Sequence, residues 1–241
     1  LFPFEGKSFV QFKKCGLEAR PDRVKRIGSF LPEKLNNDLR RELRGALLAH
    51  QFIGNWDTRE PNTLLTIVHG GNYEYRISAV FSDLGTAFGV ERHTFPPDFK
   101  VGLVNAFSWE VAVRKRGYIV LTNPVNAISE PYSEAKYEDL LWMAGKIAAI
   151  DSAMLRDMVH QAHWPTPVEE LYFHKLASRR ASILHAFGLT DPHPITFDSN
   201  LNIVENGRYI VQNGQLLTDY DRENNPESLL EKRGRFRNYG N

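Results

Sequence analysis

Three polar residues between positions 53 and 89 stand in an order suited to moving a phosphoryl group. Asp57 lies five residues before Asn62 in Asn55-Trp56-Asp57-Thr58-Arg59-Glu60-Pro61-Asn62, and Asp83 opens Asp83-Leu84-Gly85-Thr86-Ala87-Phe88-Gly89. A carboxylate can orient an acceptor hydroxyl and receive its proton. A carboxamide and a second carboxylate supply hard oxygen ligands for Mg2+, the ion that bridges phosphates during in-line transfer. In that chemistry Asp57 serves the acceptor, while Asn62 and Asp83 hold the metal and, through it, ATP. Arg59 is placed to neutralise charge on the group in flight.

Such a site needs elements that bring Asn62 and Asp83 together. Asn36 or Asn37 can cap a helix running to about Gln51, with Leu39, Leu43, Ala46, Leu47 and His50 along one face. That helix feeds directly into Gly54-Asn55-Trp56-Asp57. Pro61 bends the chain, and Leu64-Leu65-Thr66-Ile67-Val68 is strand-like. His69-Gly70-Gly71-Asn72 reads as a turn, and Tyr73 to Phe81 as the returning strand. The predicted hairpin holds Asn62 and Asp83 at one end of a strand pair, as two ligands of one metal require.

Elsewhere, Ser8 to Phe12 reads as a short strand, and the basic stretch Ala19 to Arg26 as a solvated connection. Pro96-Pro97-Asp98 predicts a turn and Gly117 to Leu121 a strand, with Arg114, Lys115 and Arg116 on the surface before it. From about Ser133 to Phe187 the pattern is helical. Leu140, Leu141, Ala144, Ile147 and Ala148 form one stripe, and Asp151 or Ser152 caps the next helix, which buries Leu155, Met158, Val159 and Ala162. Thr166-Pro167-Val168-Glu169 predicts a helix start with a capping box. That helix continues through Leu171, Leu176, Arg179, Ile183 and Leu184 to a stop at Gly188. Arg208 to Leu217 reads as a hairpin on Asn213-Gly214, and Asp219 to Asn241 as a polar linker or tail.

Composition narrows the field without choosing a function. The 241 residues suffice for one large or two small domains, and 42% hydrophobic with 24% charged is ordinary for a globular chain. Thirty Lys and Arg against 29 Asp and Glu give a net charge of +1, which supplies no electrostatic case for a nucleic-acid partner. No stretch reaches the roughly 18–20 apolar residues of a transmembrane helix. The lone Cys15 forms no internal disulfide and lacks a sequence partner for nucleophilic catalysis. Eight histidines include no His-Glu-x-x-His pair. His160 and His163 share a helical face and read as a surface or partly packed pair.

The two segments at 55–62 and 83–89, with Arg20-Pro21-Asp22-Arg23, resemble an uncharacterised bacterial group of protein-kinase-like proteins. That group is related in outline to atypical kinases such as the spore-coat and toxin–antitoxin kinases. The likeness covers about residues 15–187. It implies an α+β fold, a mostly helical kinase-like C-lobe with a catalytic-loop hairpin, whose N-lobe lies upstream of Leu1. Residues 1–34 would then connect from that N-lobe, 35–188 form the C-lobe, and 189–241 add a small hairpin and tail. The implied partners are the upstream N-lobe, a nucleotide and an unknown phosphoryl acceptor. The implied setting is a soluble domain of the bacterial cytoplasm or cell envelope. Arg59 falls where many kinases carry a Lys. Asn55-Trp56 replaces the usual His-Arg, Leu84 replaces Phe, and no Ala-Pro-Glu closes an activation segment.

Those departures leave two further expectations open. One is a catalytically inactive pseudokinase that binds nucleotide or acts as a scaffold. The other is an unrelated binding domain in which Asp57 and Asp83 merely cap turns.

Overall fold

A computed structural model describes residues 23–30, 40–70, 74–94, 97–122, 132, 134–205 and 207–217. The expected strand at Ser8 to Phe12, the caps Asn36 and Asn37, Cys15, and the tail from Asp219 lie outside the described residues. The fold is mixed α+β, with four helices and ten short strands among the described residues. No described helix is long and apolar enough to cross a membrane.

The β-branched run Thr63–His69 forms β2, which pairs antiparallel with β1 (Val24–Gly28) on one side and β3 (Tyr75–Phe81) on the other. The β2–β3 register runs from Thr63↔Phe81 to His69↔Tyr75, so the expected hairpin is present. The strand β1 corrects the reading of residues 19–26 as a simple connection. Charges at Lys25 and Arg26 hide a strand that needs little apolar content, because it sits at the sheet edge.

The helix α1 (Arg41–Ile53) precedes this sheet and buries Leu43, Leu47, Leu48, His50 and Phe52. Gly45 lets α1 approach α2 (Tyr137–Ala148) closely: a Cβ there would lie 3.0 Å from the Asp139 carbonyl. Arg44 clasps the Asp139 carboxylate across that contact at 2.6 and 3.0 Å. Gly54 ends α1 in the left-handed conformation, with φ +72°.

Between sheet and helices lie two hairpins, β4 (Val90–Thr94) with β5 (Pro97–Val101) and β6 (Ala112–Lys115) with β7 (Tyr118–Leu121). Of the expected turn Pro96-Pro97-Asp98, Pro97 and Asp98 open a strand opposite Thr94 and His93, and Pro96 lies outside the described residues. A first-position Pro suits this place, because it owes the ladder no N–H.

The helix α3 (Ser152–His160) is capped as expected, the Asp151 side chain accepting from the Met154 N–H at 2.8 Å. Leu155 and Val159 are buried, but Met158 is exposed and Ala162 lies beyond the helix end. The long helix α4 (Thr166–Phe187) stops at Gly188, as expected. It begins without the expected capping box: Thr166 is already helical and Pro165 takes the cap position, so no hydroxyl sits where it could reach the first N–H groups.

Helix α4 is the hub of the core. Its Tyr172, Phe173, Leu176, Ile183, Leu184 and Phe187 are all buried, and so are Lys175, Arg179 and Arg180. Each buried cation donates to backbone carbonyls where another element ends. Arg180 donates to the Ala148 carbonyl at the end of α2 at 2.8 Å and pairs with Asp191. Lys175 donates to the Val104 and Phe107 carbonyls at 2.8 and 2.7 Å. Arg179 serves the end of α1. The C-terminal sheet of β8 (Ile203–Glu205), β9 (Arg208–Gln212) and β10 (Gln215–Leu216) turns on Asn213-Gly214, both at positive φ. Val211 is fully buried, and Glu205 approaches Lys175 at 3.6 Å.

Candidate functional site

The loop after α1 carries Asp57, and two backbone features fix where it goes. Gly54 turns the chain out of the helix, and its N–H returns to the Gln51 carbonyl at 3.1 Å. Arg179 then anchors the same end, its Nε donating to the Phe52 carbonyl at 2.8 Å and its Nη2 to the Gln51 carbonyl. Its Nη1 reaches the Ser108 carbonyl and hydroxyl, both at 2.6 Å, and its guanidinium lies 4.2 Å from the centre of the Phe107 ring. A cation at a helix C-terminus is favourable because the unpaired carbonyls there carry partial negative charge. Burial lowers the Arg179 pKa to about 9, which keeps it charged at neutral pH.

Asp57 is 8% exposed, and Arg59 folds back onto it. Arg59 Nε lies 2.7 Å from Oδ1 and Nη2 lies 2.6 Å from Oδ2, a bidentate pair. Hydrogen bonding from Arg59 holds the Asp57 carboxyl below the usual carboxylate range, against the opposing effect of burial. Asp57 is therefore ionised at neutral pH.

Asn62 closes the 3-10 turn Glu60–Asn62, where Pro61 sits in the first turn. Its Nδ2 donates to the Asp57 carbonyl at 3.2 Å, which orients the carboxamide and leaves Oδ1 as its acceptor end. Its own carbonyl accepts from the Ser82 N–H at 2.9 Å and the Asp83 N–H at 3.5 Å. The base of the β2–β3 hairpin thus sets residues 62 and 83 side by side. Asp83 is exposed, and its Oδ1 accepts from the Gly85 N–H at 2.8 Å, fixing one carboxylate oxygen.

All four residues singled out in the sequence therefore meet at one end of the sheet: Asp57, Arg59 and Asn62 in one loop, and Asp83 on the turn beside Asn62. Among the described residues no group of three or more His, Cys, Asp or Glu side chains converges as a metal cage. Asp83 and Asn62 offer one carboxylate and one carboxamide oxygen, the hard donor type that Mg2+ takes beside its waters. His160 and His163 lie on the surface, ring centres 6.3 Å apart, with His160 Nδ1 3.3 Å from Glu169.

Three participants escaped sequence reasoning. Thr86 bridges the Asp57 loop and the Asp83 turn: the Asp57 N–H donates to its Oγ1 at 3.3 Å, and its hydroxyl donates to Asn55 Oδ1 at 2.5 Å. Asn55, 1% exposed, looks in sequence only like a departure from the kinase pattern. Arg179 is visible as one charge at helical spacing between Leu176 and Ile183, and that interruption of an apolar stripe is the signal that could have found it. No protein-family model matches the chain, and neither does any curated protein or solved structure.

Proposed function

We propose that the loop at 55–62 and the turn at 83–86 form the metal-binding half of a Mg2+-dependent, ATP-using phosphotransferase of the protein-kinase-like kind. One observation carries the reading: the hairpin base sets Asn62 and Asp83 side by side through the Ser82 and Asp83 N–H bonds to the Asn62 carbonyl, next to the ionised Asp57. Asn62 Oδ1 and the free oxygen of Asp83 would hold Mg2+, which supplies charge neutralisation at the phosphates. Asp57 aligns the acceptor hydroxyl and receives its proton. The acceptor oxygen forms the new P–O bond as the bond to the nucleotide's bridging oxygen breaks. Arg59, whose side chain is 62% exposed, must leave Asp57 for this to happen, and the transferred phosphoryl offers it a stronger anionic partner.

A second reading has its own observation. With both carboxylate oxygens held by Arg59, Asp57 has no oxygen free of Arg59 for an acceptor, which favours a pseudokinase that binds nucleotide without transfer. Thermal unfolding of the 241-residue chain with and without Mg2+ and ATP tests both. A shift that needs the metal and disappears in Asp83→Ala supports the site; no shift, or an equal shift in that variant, removes it. Label transferred from γ-labelled ATP, and lost in Asp57→Asn with binding intact, separates transfer from binding alone.

A further inference from the structure

The Asp57 loop and the Asp83 turn are joined by one chain of polar groups that runs from the half-buried Thr86 to the buried Asn55 and His50. The Asp57 N–H donates to Thr86 Oγ1, and the Thr86 hydroxyl donates to Asn55 Oδ1. Asn55 Nδ2 donates to His50 Nδ1 at 3.2 Å, which makes Nε2 the protonated nitrogen of that ring. His50 Nε2 then faces the Tyr132 hydroxyl at 3.4 Å. Burial lowers the His50 pKa to about 4, so the imidazole is neutral and holds this single tautomer at physiological pH. Asn55 is 1% exposed, His50 4% and Tyr132 0%.

A threonine hydroxyl has one proton to give. Because Asn55 accepts that proton, a Thr86 lone pair is left facing the Asp57 amide. The direction of every bond from His50 to Asp57 is therefore set by the carboxamide orientation of Asn55. The backbone amide of Asp57 is the last link, so the chain ends one bond from the Cα that bears the carboxylate.

We infer that Thr86 and Asn55 are positioning residues, which fix the distance between the Asp57 carboxylate and the Asp83 metal ligand. This rests on the phosphotransferase reading above. Neither residue touches the reacting atoms; both act through the backbone of Asp57. A misplacement near 1 Å in such a site lowers turnover by on the order of a hundredfold.

The test compares Thr86→Val, which keeps shape but loses the hydroxyl, with Thr86→Ser, which keeps the hydroxyl. Transfer from γ-labelled ATP to the protein or to water gives kcat and the KM for Mg-ATP, and amide hydrogen exchange reports on the Asp57 N–H. Circular dichroism checks that each variant is folded. In Thr86→Val, kcat should fall about 10- to 100-fold with KM within about twofold, and Asp57 exchange should quicken by about tenfold. Thr86→Ser should return both to within about threefold of the parent. Parental kcat in Thr86→Val, or an equal loss in both variants, overturns the inference while leaving the phosphotransferase reading intact. In a parent chain that binds Mg-ATP without transfer, Asp57 exchange decides, and unchanged exchange in Thr86→Val overturns the inference; absence of Mg-ATP binding in the parent overturns both. If Thr86→Val fails to fold, Asn55→Leu takes its place: with no acceptor left for the Thr86 hydroxyl proton, Asp57 exchange should quicken, and unchanged exchange overturns the inference.

Discussion

Replacing Arg179 by Met gives the severest test of how this site is held. The side chain is fully buried, and its guanidinium donates at short range to three backbone carbonyls, Gln51 and Phe52 at the end of α1 and Ser108, with a longer bond to Glu110 at 3.5 Å. A hydrogen bond to a charged group contributes roughly 1.5–3 kcal/mol, so three sum to at most about 9. Met fills part of the volume and keeps a contact with Phe107, while water and backbone relaxation recover part of the loss. The net cost should be about 4 kcal/mol, a large share of the roughly 5–15 kcal/mol that stabilises a typical domain. Arg179→Lys keeps the charge but loses the fork that reaches carbonyls in two directions, and should cost about half as much. Guanidinium chloride titration followed by circular dichroism measures both. The consequence for function is a second readout: the Mg2+-dependent thermal shift should shrink in Arg179→Lys even where the chain is fully folded, because α1 no longer ends at a fixed point before Asp57. A Met variant within about 1 kcal/mol of the parent would refute the reasoning, since buried carbonyls stripped of a charged donor cannot be that cheap.

Two further outcomes follow from the same structure. His50 has a folded pKa near 4 against 6.5 when unfolded, so the unfolded chain binds the extra proton between those values. Its contribution is complete above pH 6.5 and is lost as pH falls toward 4, by up to roughly 1.4 kcal/mol per pH unit. Urea titrations across that range should show the slope in the parent and a flatter curve in His50→Leu. Gly89, at φ +97°, leaves no room for a side chain: a Cβ would lie 2.0 Å from the Leu103 carbonyl oxygen. Gly89→Ala should cost on the order of 2–4 kcal/mol, read as a lower urea midpoint, whereas Gly102→Ala, strained but in open space, should cost less.

The legible parts of the chain were those whose signals are local. Val, Ile and Thr in β2, Asp151 before α3 and Gly188 after α4 each act within a few residues, and each fell where expected. So did the juxtaposition of Asn62 and Asp83, because a hairpin converts spacing directly into proximity. What stayed hidden depends on distant partners. Lys175 and Arg180 look like solvent-facing charges until carbonyls from residues 104–107 and 148 are placed around them. Met158 looks like core at helical spacing, but it stands exposed on α3. The role of Thr86 follows from bonds spanning 29 and 31 residues, which no window of sequence contains.

Arg179 also sets a timetable. Its bonds to Gln51 and Phe52 cross 128 and 127 residues of chain. At roughly 5–20 residues per second, a ribosome needs on the order of ten seconds to make that interval. Throughout it, α1 and the Asp57 loop exist without the cation that terminates them. The hairpin can pair at once from neighbouring residues, so Asn62 and Asp83 are in place early and the loop bearing Asp57 is pinned last. The nascent chain thus holds the hairpin base for seconds before the loop beside it is anchored.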